Sequence, residues 1–161
     1  MKNSKGAKPE SYKPLVVILL AALVAALAIN HISPVPLMHI FMGMFFVIFS
    51  MFKFFDLAGF VEGFSMYDLI AKNIPAYGYL YPFIELALGL SYLSNFSPIA
   101  TDSVTIVVMF ISAAGVIRAL GQGMDVRCAC LGTTLNVPLS TVSIIENIGM
   151  GVMAIYAIVT M

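Results

Sequence analysis

Five apolar runs, each close to bilayer length, dominate this chain: 15–28 with its flanks, 37–55, 76–93, 104–120 and 141–161. A membrane span needs about 17–25 apolar residues, because the hydrocarbon core is about 30 Å thick and a helix rises about 1.5 Å per residue. Inside hydrocarbon every backbone N–H and C=O must be satisfied within the segment, so such runs fold as helices. Composition agrees. The chain is 61% hydrophobic and 10% charged, against about 25% charged in a soluble domain. The expected fold is an all-α membrane protein, and 161 residues make one domain rather than two bundles. Formal net charge is zero, which gives no support to a nucleic-acid partner. No phosphate-binding glycine loop, dinucleotide fingerprint, zincin motif or Ser-His-Asp pattern occurs.

The first run is stopped by Pro34 and Pro36, which cannot continue a helix. Lys2, Lys5, Lys8 and Lys13 precede it. Such a flank also precedes a signal-peptide core, but no Ala-x-Ala site followed by a polar start is present, so the segment reads as a retained helix. With five spans, all eight basic residues fall on one side of the membrane: the four lysines above with Lys53, Lys72, Arg118 and Arg127. The positive-inside rule then makes that side cytoplasmic. It holds the N-terminus and the 121–140 connector, in a bacterial inner (cytoplasmic) membrane.

That connector contains the only two cysteines, in Arg127-Cys128-Ala129-Cys130-Leu131-Gly132. Residues at i and i+2 lie near the Cα separation of a disulfide, about 4.4–6.8 Å. As thiolates they also form a two-ligand site for soft ions such as Cu(I), Hg(II) or Zn(II). Arg127 favours the Cys128 thiolate, and Gly132 permits a tight backbone after the pair. The residues alone leave open thiol redox, soft-metal binding, and a shape-holding role for the pair in an assembly subunit.

Ionisable residues inside spans cost about 2.5–3.5 kcal/mol each at a helix centre and mark candidate sites. Glu85 lies in the third run and Glu146 in the fifth; Lys53 and Asp56 close the second, and Arg118 closes the fourth. All fall in the half that carries the cysteines. The expectation is one polar cluster, with Glu85 and Glu146 facing Lys53 and Arg118, beneath Cys128 and Cys130; fixing helix register is its alternative role.

Between the second and third runs, Phe60, Phe64, Tyr67 and Ile70 recur at helical steps. They predict a short interfacial helix with rings at headgroup depth. Asp68 and Lys72 would pair on it at i, i+4, and Pro75 would end it. Tyr77, Tyr79 and Tyr81 would form an aromatic belt. Of the 11 methionines, Met38 and Met42 flank His39 at one turn's spacing, and packing is favoured there over Cu(I) binding. Gly43, Gly89, Ala113, Ala114, Gly115, Gly149 and Gly151 are the candidates for close helix approach.

From about residue 41 to 161 these elements resemble the MauE/DoxX-like redox-associated membrane proteins. The resemblance rests on three elements: the span ending in Lys53 and Asp56, the Tyr-rich entry with Pro82 and Glu85, and Arg118, Asp125 and Cys128-Ala129-Cys130-Leu131-Gly132. The family pattern near the cysteines is close to Cys-Gly-Cys-Phe-Gly, so Ala129 and Leu131 depart from it. Asn136-Val137-Pro138-Leu139-Ser140-Thr141 and Glu146 are similar to the branch often fused to a heavy-metal-associated domain. The resemblance implies a four-helix transmembrane domain over 37–161. An extra N-terminal transmembrane helix and loop over 15–36 and a Lys-rich cytoplasmic tail over 1–14 precede it. It also implies a thiol–disulfide redox or maturation role with Cys128 and Cys130 as catalytic thiols. A thioredoxin-like protein or a metal-carrying domain would be the partner, with a quinone or a soft metal as the cofactor class. The resemblance implies a periplasmic role, whereas the charge count puts these cysteines in the cytoplasm, and the expectation from the charge count is a cytoplasmic site.

Overall fold

The computed structural model describes residues 13–123 and 139–160, which form six helices: α1 (Lys13–Asn30), α2 (Leu37–Phe55), α3 (Leu57–Tyr67), α4 (Pro75–Leu93), α5 (Pro98–Gly121) and α6 (Leu139–Thr160). No strand occurs among the described residues. Arg127, Cys128 and Cys130 lie outside them.

Three helices are long and apolar enough to cross a membrane: α2, α5 and, within α6, Ser143–Thr160. The apolar part of α1, Leu15–Asn30, is shorter. α4 matches α2 in length, but four tyrosines, Pro82 and Glu85 dilute its apolar content. The molecule is a multi-pass membrane protein, and the five expected runs coincide with α1, α2, α4, α5 and α6.

Chain punctuation follows local chemistry. The Ile29 carbonyl accepts from the Ile32 and Ser33 N–H groups, each at 3.0 Å, closing α1 before the prolines. Pro75 and Pro98 open α4 and α5, where a missing N–H costs nothing. Pro75 therefore starts a helix rather than ending one. The turn from α4 to α5 is tight, with Asn95 at φ 53° and Ser97 at φ 45°.

Two helix pairs carry the packing, α2 on α4 and α5 on α6, and α1 lies on α2 alone among the described helices. Lipid tails give little hydrophobic drive between helices, so close backbone approach has to supply the attraction. Gly43 and Gly89 provide it at the α2–α4 crossing. A Cβ on Gly89 would meet Val47 Cγ2 at 2.8 Å and the Gly43 carbonyl at 3.0 Å; one on Gly43 would meet Leu93 Cγ at 2.8 Å. Gly115 of α5 admits the backbone of residues 67–69, the Tyr67 carbonyl at 2.8 Å from its would-be Cβ. Gly149 has open space around it, and Ala114 is exposed, so neither serves the close approach expected of it. Met42 is fully buried in the core, in line with the packing role given to it.

α3 departs from the sequence reading. It turns inward, burying Phe60, Phe64 and Tyr67 against α2, α4 and α5. Phe64 lies 4.5 Å from Tyr81 between ring centroids. The helix stops at Tyr67, and Asp68 accepts from the Ile70 and Ala71 N–H groups, both at 2.9 Å. Asp68 and Lys72 therefore share no helix. Of the tyrosine belt only Tyr79 is exposed; Tyr77 is half-buried and Tyr81 buried.

Candidate functional site

One half of the bundle encloses a charged cluster. Lys53, in the last turn of α2, and Glu85, in the middle of α4, are each 3% exposed. The Lys53 Nζ donates to Glu85 Oε2, and Tyr81, one turn before Glu85, hydrogen-bonds the same carboxyl. The ammonium also lies over two rings, 5.1 Å from the Tyr81 centroid and 5.4 Å from that of Phe60, a favourable placement for a cation. Thus α3 closes the site from below with the rings the sequence assigned to the interface.

Glu146 and Asn147 of α6 and Ser112 of α5 line a cavity of about 10 Å³ with Lys53 and Glu85. That volume suits about one water molecule. Asn147 Nδ2 donates to Ser112 Oγ at 3.2 Å. Two carboxyls and one ammonium thus line one small cavity. The structure brings Lys53, Glu85 and Glu146 to one cavity. Arg118 is exposed instead. The buried face of α5 runs through Ser112, Gly115, Val116 and Ala119, and residue 118 falls off it. Asp56 caps α3, accepting the Gly59 N–H at 3.0 Å, a local role the cluster reading did not include.

A second buried cluster sits at the opposite end of the bundle, where the sequence reading named no site. His39 Nε2 of α2 is 3.4 Å from Asp102 Oδ2 of α5, with the two residues 3% and 0% exposed. The Tyr92 hydroxyl of α4 donates to Asp102 Oδ1 at 2.7 Å and lies 3.0 Å from Thr105 Oγ1. The His39 and Tyr92 rings are 5.3 Å apart. From His39 to Lys53 is 14 positions along α2, about 21 Å. Three helices thus meet through polar groups at one end and four at the other. The signal was present: an acid between Thr101 and Thr105 at the start of an apolar helix. It was hidden because His39 and Asp102 are 63 positions apart.

Polar residues arranged in this way on α2, α4, α5 and α6 set the chain against known proteins. A family model described as methylamine utilisation protein MauE matches residues 33–160. The chain belongs to this family. It is a MauE-family membrane protein. No curated protein and no solved structure matches the chain. The family match spans Lys53, Glu85, Glu146, His39 and Asp102 alike, together with the stretch that holds Cys128 and Cys130. Among the described residues, no group of three or more His, Cys, Asp or Glu could hold a metal ion.

Proposed function

We propose that this MauE-family protein is a thiol–disulfide redox or maturation factor, with Cys128 and Cys130 as its reactive pair. One thiolate attacks a disulfide sulfur of a thioredoxin-like partner and forms a mixed disulfide. The second cysteine then attacks its neighbour's sulfur, closing the Cys128–Cys130 bond and releasing the partner as a dithiol. Two electrons pass from the pair to the partner, and the two thiol protons end on the partner's sulfurs. The reverse direction oxidises a client.

The observation that supports this reading is the Lys53–Glu85–Glu146 cluster, in which Lys53 and Glu85 are buried. It lies in the half of the bundle to which α5 leads and from which α6 departs, and the Cys-bearing link joins those helices. Ser112 is 11 positions from Gly123 and Glu146 is 7 from Leu139, about 16 and 10 Å along the helices. Ionisable groups in that half of the bundle suit a chemistry whose thiols must lose and regain protons.

The reading includes an arrangement: a four-helix transmembrane domain over 37–161, preceded by an additional transmembrane helix over 15–36. The family match begins at residue 33, past the end of α1, which supports that division. The cysteines are assigned to the cytoplasmic side of a bacterial inner membrane on the charge count. Lys53 counts less toward it, being buried and ion-paired. A single reporter thiol tests the side. Ser94→Cys in a Cys128→Ser/Cys130→Ser background is suitable, because Ser94 is exposed at φ −85° whereas Ser97 is left-handed. It should label from outside intact cells; labelling only after lysis would invert the topology.

Redox titration of the purified protein should give a dithiol potential between about −120 and −270 mV. Anaerobic Cu(I) titration separates the competing reading. Stoichiometric Cu(I) binding lost in either single Ser variant, with no measurable disulfide couple, would assign the pair to soft-metal handling instead.

A further inference from the structure

Where α3 gives way to α4, the chain leaves a cavity of about 250 Å³, lined by Tyr67, Asp68, Lys72, Asn73, Arg118 and Gln122 among others. It belongs to neither cluster described above. Its depth follows from α5: Asp102 and Gln122 are 20 positions apart, about 30 Å, the thickness of the hydrocarbon core. With Asp102 near one membrane surface, Gln122 and the cavity lie at the headgroup level of the other.

The lining has an uneven charge pattern. Asp68 is 0% exposed. Its Oδ1 accepts the Ile70 and Ala71 N–H groups, while its Oδ2 is buried without a hydrogen-bond partner. A buried carboxylate oxygen left without a donor is costly, so such an atom calls for one. Gly115 holds the carboxyl in place, because its missing Cβ lets α5 approach Asp68 Cα to 3.1 Å from the would-be Cβ position. Lys72 and Arg118 are both exposed at the rim and supply two positive charges, Arg118 with the fork that suits a phosphate. Asn73 and Gln122 add amide groups. Met66, 52% exposed, continues the wall as apolar surface.

We infer that this cavity binds a zwitterion carrying a phosphate and a primary ammonium, its ammonium donating to Asp68 Oδ2 and its phosphate held by Arg118 and Lys72. The headgroup of a phosphatidylethanolamine has this chemistry, and so does free O-phosphoethanolamine. A phosphate alone leaves Asp68 without a donor. A choline headgroup has no N–H to give. A phosphatidylglycerol brings no ammonium. The site is independent of the cysteine chemistry.

The full-length protein in nanodiscs of defined lipid tests this. Bound lipid is counted by native mass spectrometry after mild activation, with mixed phosphatidylethanolamine, phosphatidylcholine and phosphatidylglycerol. The wild type should retain phosphatidylethanolamine selectively. Asp68→Asn and Arg118→Gln should each lower that retention by about tenfold, the worth of one charge-assisted hydrogen bond. Glu62→Gln, exposed on α3, should not change it, and helicity by circular dichroism should be equal in all variants. Displacement by millimolar O-phosphoethanolamine would show that the headgroup alone is read. Binding of that compound without selective lipid retention would assign the site to a soluble zwitterion. Equal retention of phosphatidylglycerol, or undiminished selectivity in a folded Asp68→Asn variant, would overturn the inference.

Discussion

At the scale of single residues, charge placement decides more than hydrophobicity does. Lys53 and Glu85 form a buried ion pair between α2 and α4. Removing one partner of such a pair costs about 3–5 kcal/mol, while replacing both by apolar residues can be neutral. Glu85→Gln should therefore lower unfolding stability in mixed micelles by several kcal/mol, and Lys53→Met/Glu85→Leu should recover most of it. Glu62→Gln is the solvent-facing control and should change little. Equal tolerance of Glu85→Gln and Glu62→Gln would remove the pair from the account. Asp68 makes a separate, pH-dependent contribution. Burial raises its pKa above the ordinary 3.8, with the Ala71 and Ile70 N–H groups pulling the other way. The folded protein thus holds this proton more tightly than the unfolded chain does. Its stabilising contribution is complete below the unfolded value and is lost as pH rises through the raised one. Thermal stability in phosphatidylethanolamine-free micelles should fall across that window, and Asp68→Asn, which keeps the Oδ1 acceptor, should flatten the slope.

Among the elements, the five long apolar runs were legible because hydrocarbon admits little besides helices there, and each begins or ends near a proline or polar turn that the sequence displays. α3 was legible as a helix but not as a core element. Its spacing of Phe60, Phe64 and Tyr67 fixes one apolar face, and nothing in the spacing says whether that face meets lipid headgroups or Lys53 and Tyr81. Arg118 was misplaced for a plainer reason: it lies off the buried face of α5 that Ser112, Gly115 and Ala119 mark. The close α2–α4 crossing rests on Gly43 and Gly89, two of the seven small-residue candidates in the sequence. Gly89→Ala would drive a methyl group into Val47 and the Gly43 carbonyl. Neither the helix nor its neighbour's backbone yields cheaply, and a loss of about 1–3 kcal/mol is expected. Gly149→Ala meets open space and should be neutral or slightly stabilising, since alanine favours helix. Thermal melts of the two variants side by side provide the comparison; equal losses would mean that helix propensity, not the crossing, sets the effect.

For the whole molecule, two buried polar clusters about 21 Å apart along α2 frame a bundle that belongs to the MauE family over residues 33–160. The one that contains Lys53, Glu85 and Glu146 had a signal in the sequence, because charges in spans are conspicuous. The cluster at the opposite end was not conspicuous, because His39, Tyr92 and Asp102 come from three helices and His39 lies far from the other two in sequence. The central claim is the proposal that Cys128 and Cys130, in the sequence between α5 and α6, carry out thiol–disulfide exchange. Acid-quenched thiol trapping from cells of the native host tests it most directly. Cys130→Ser, or else Cys128→Ser, should accumulate a covalent adduct with a single thioredoxin-like protein, and reductant should release it. The wild type should show the adduct only transiently, and the double Ser variant not at all, with loss of function. A double Ser variant that forms no adduct and keeps full function, with no adduct in either single variant, would contradict the account.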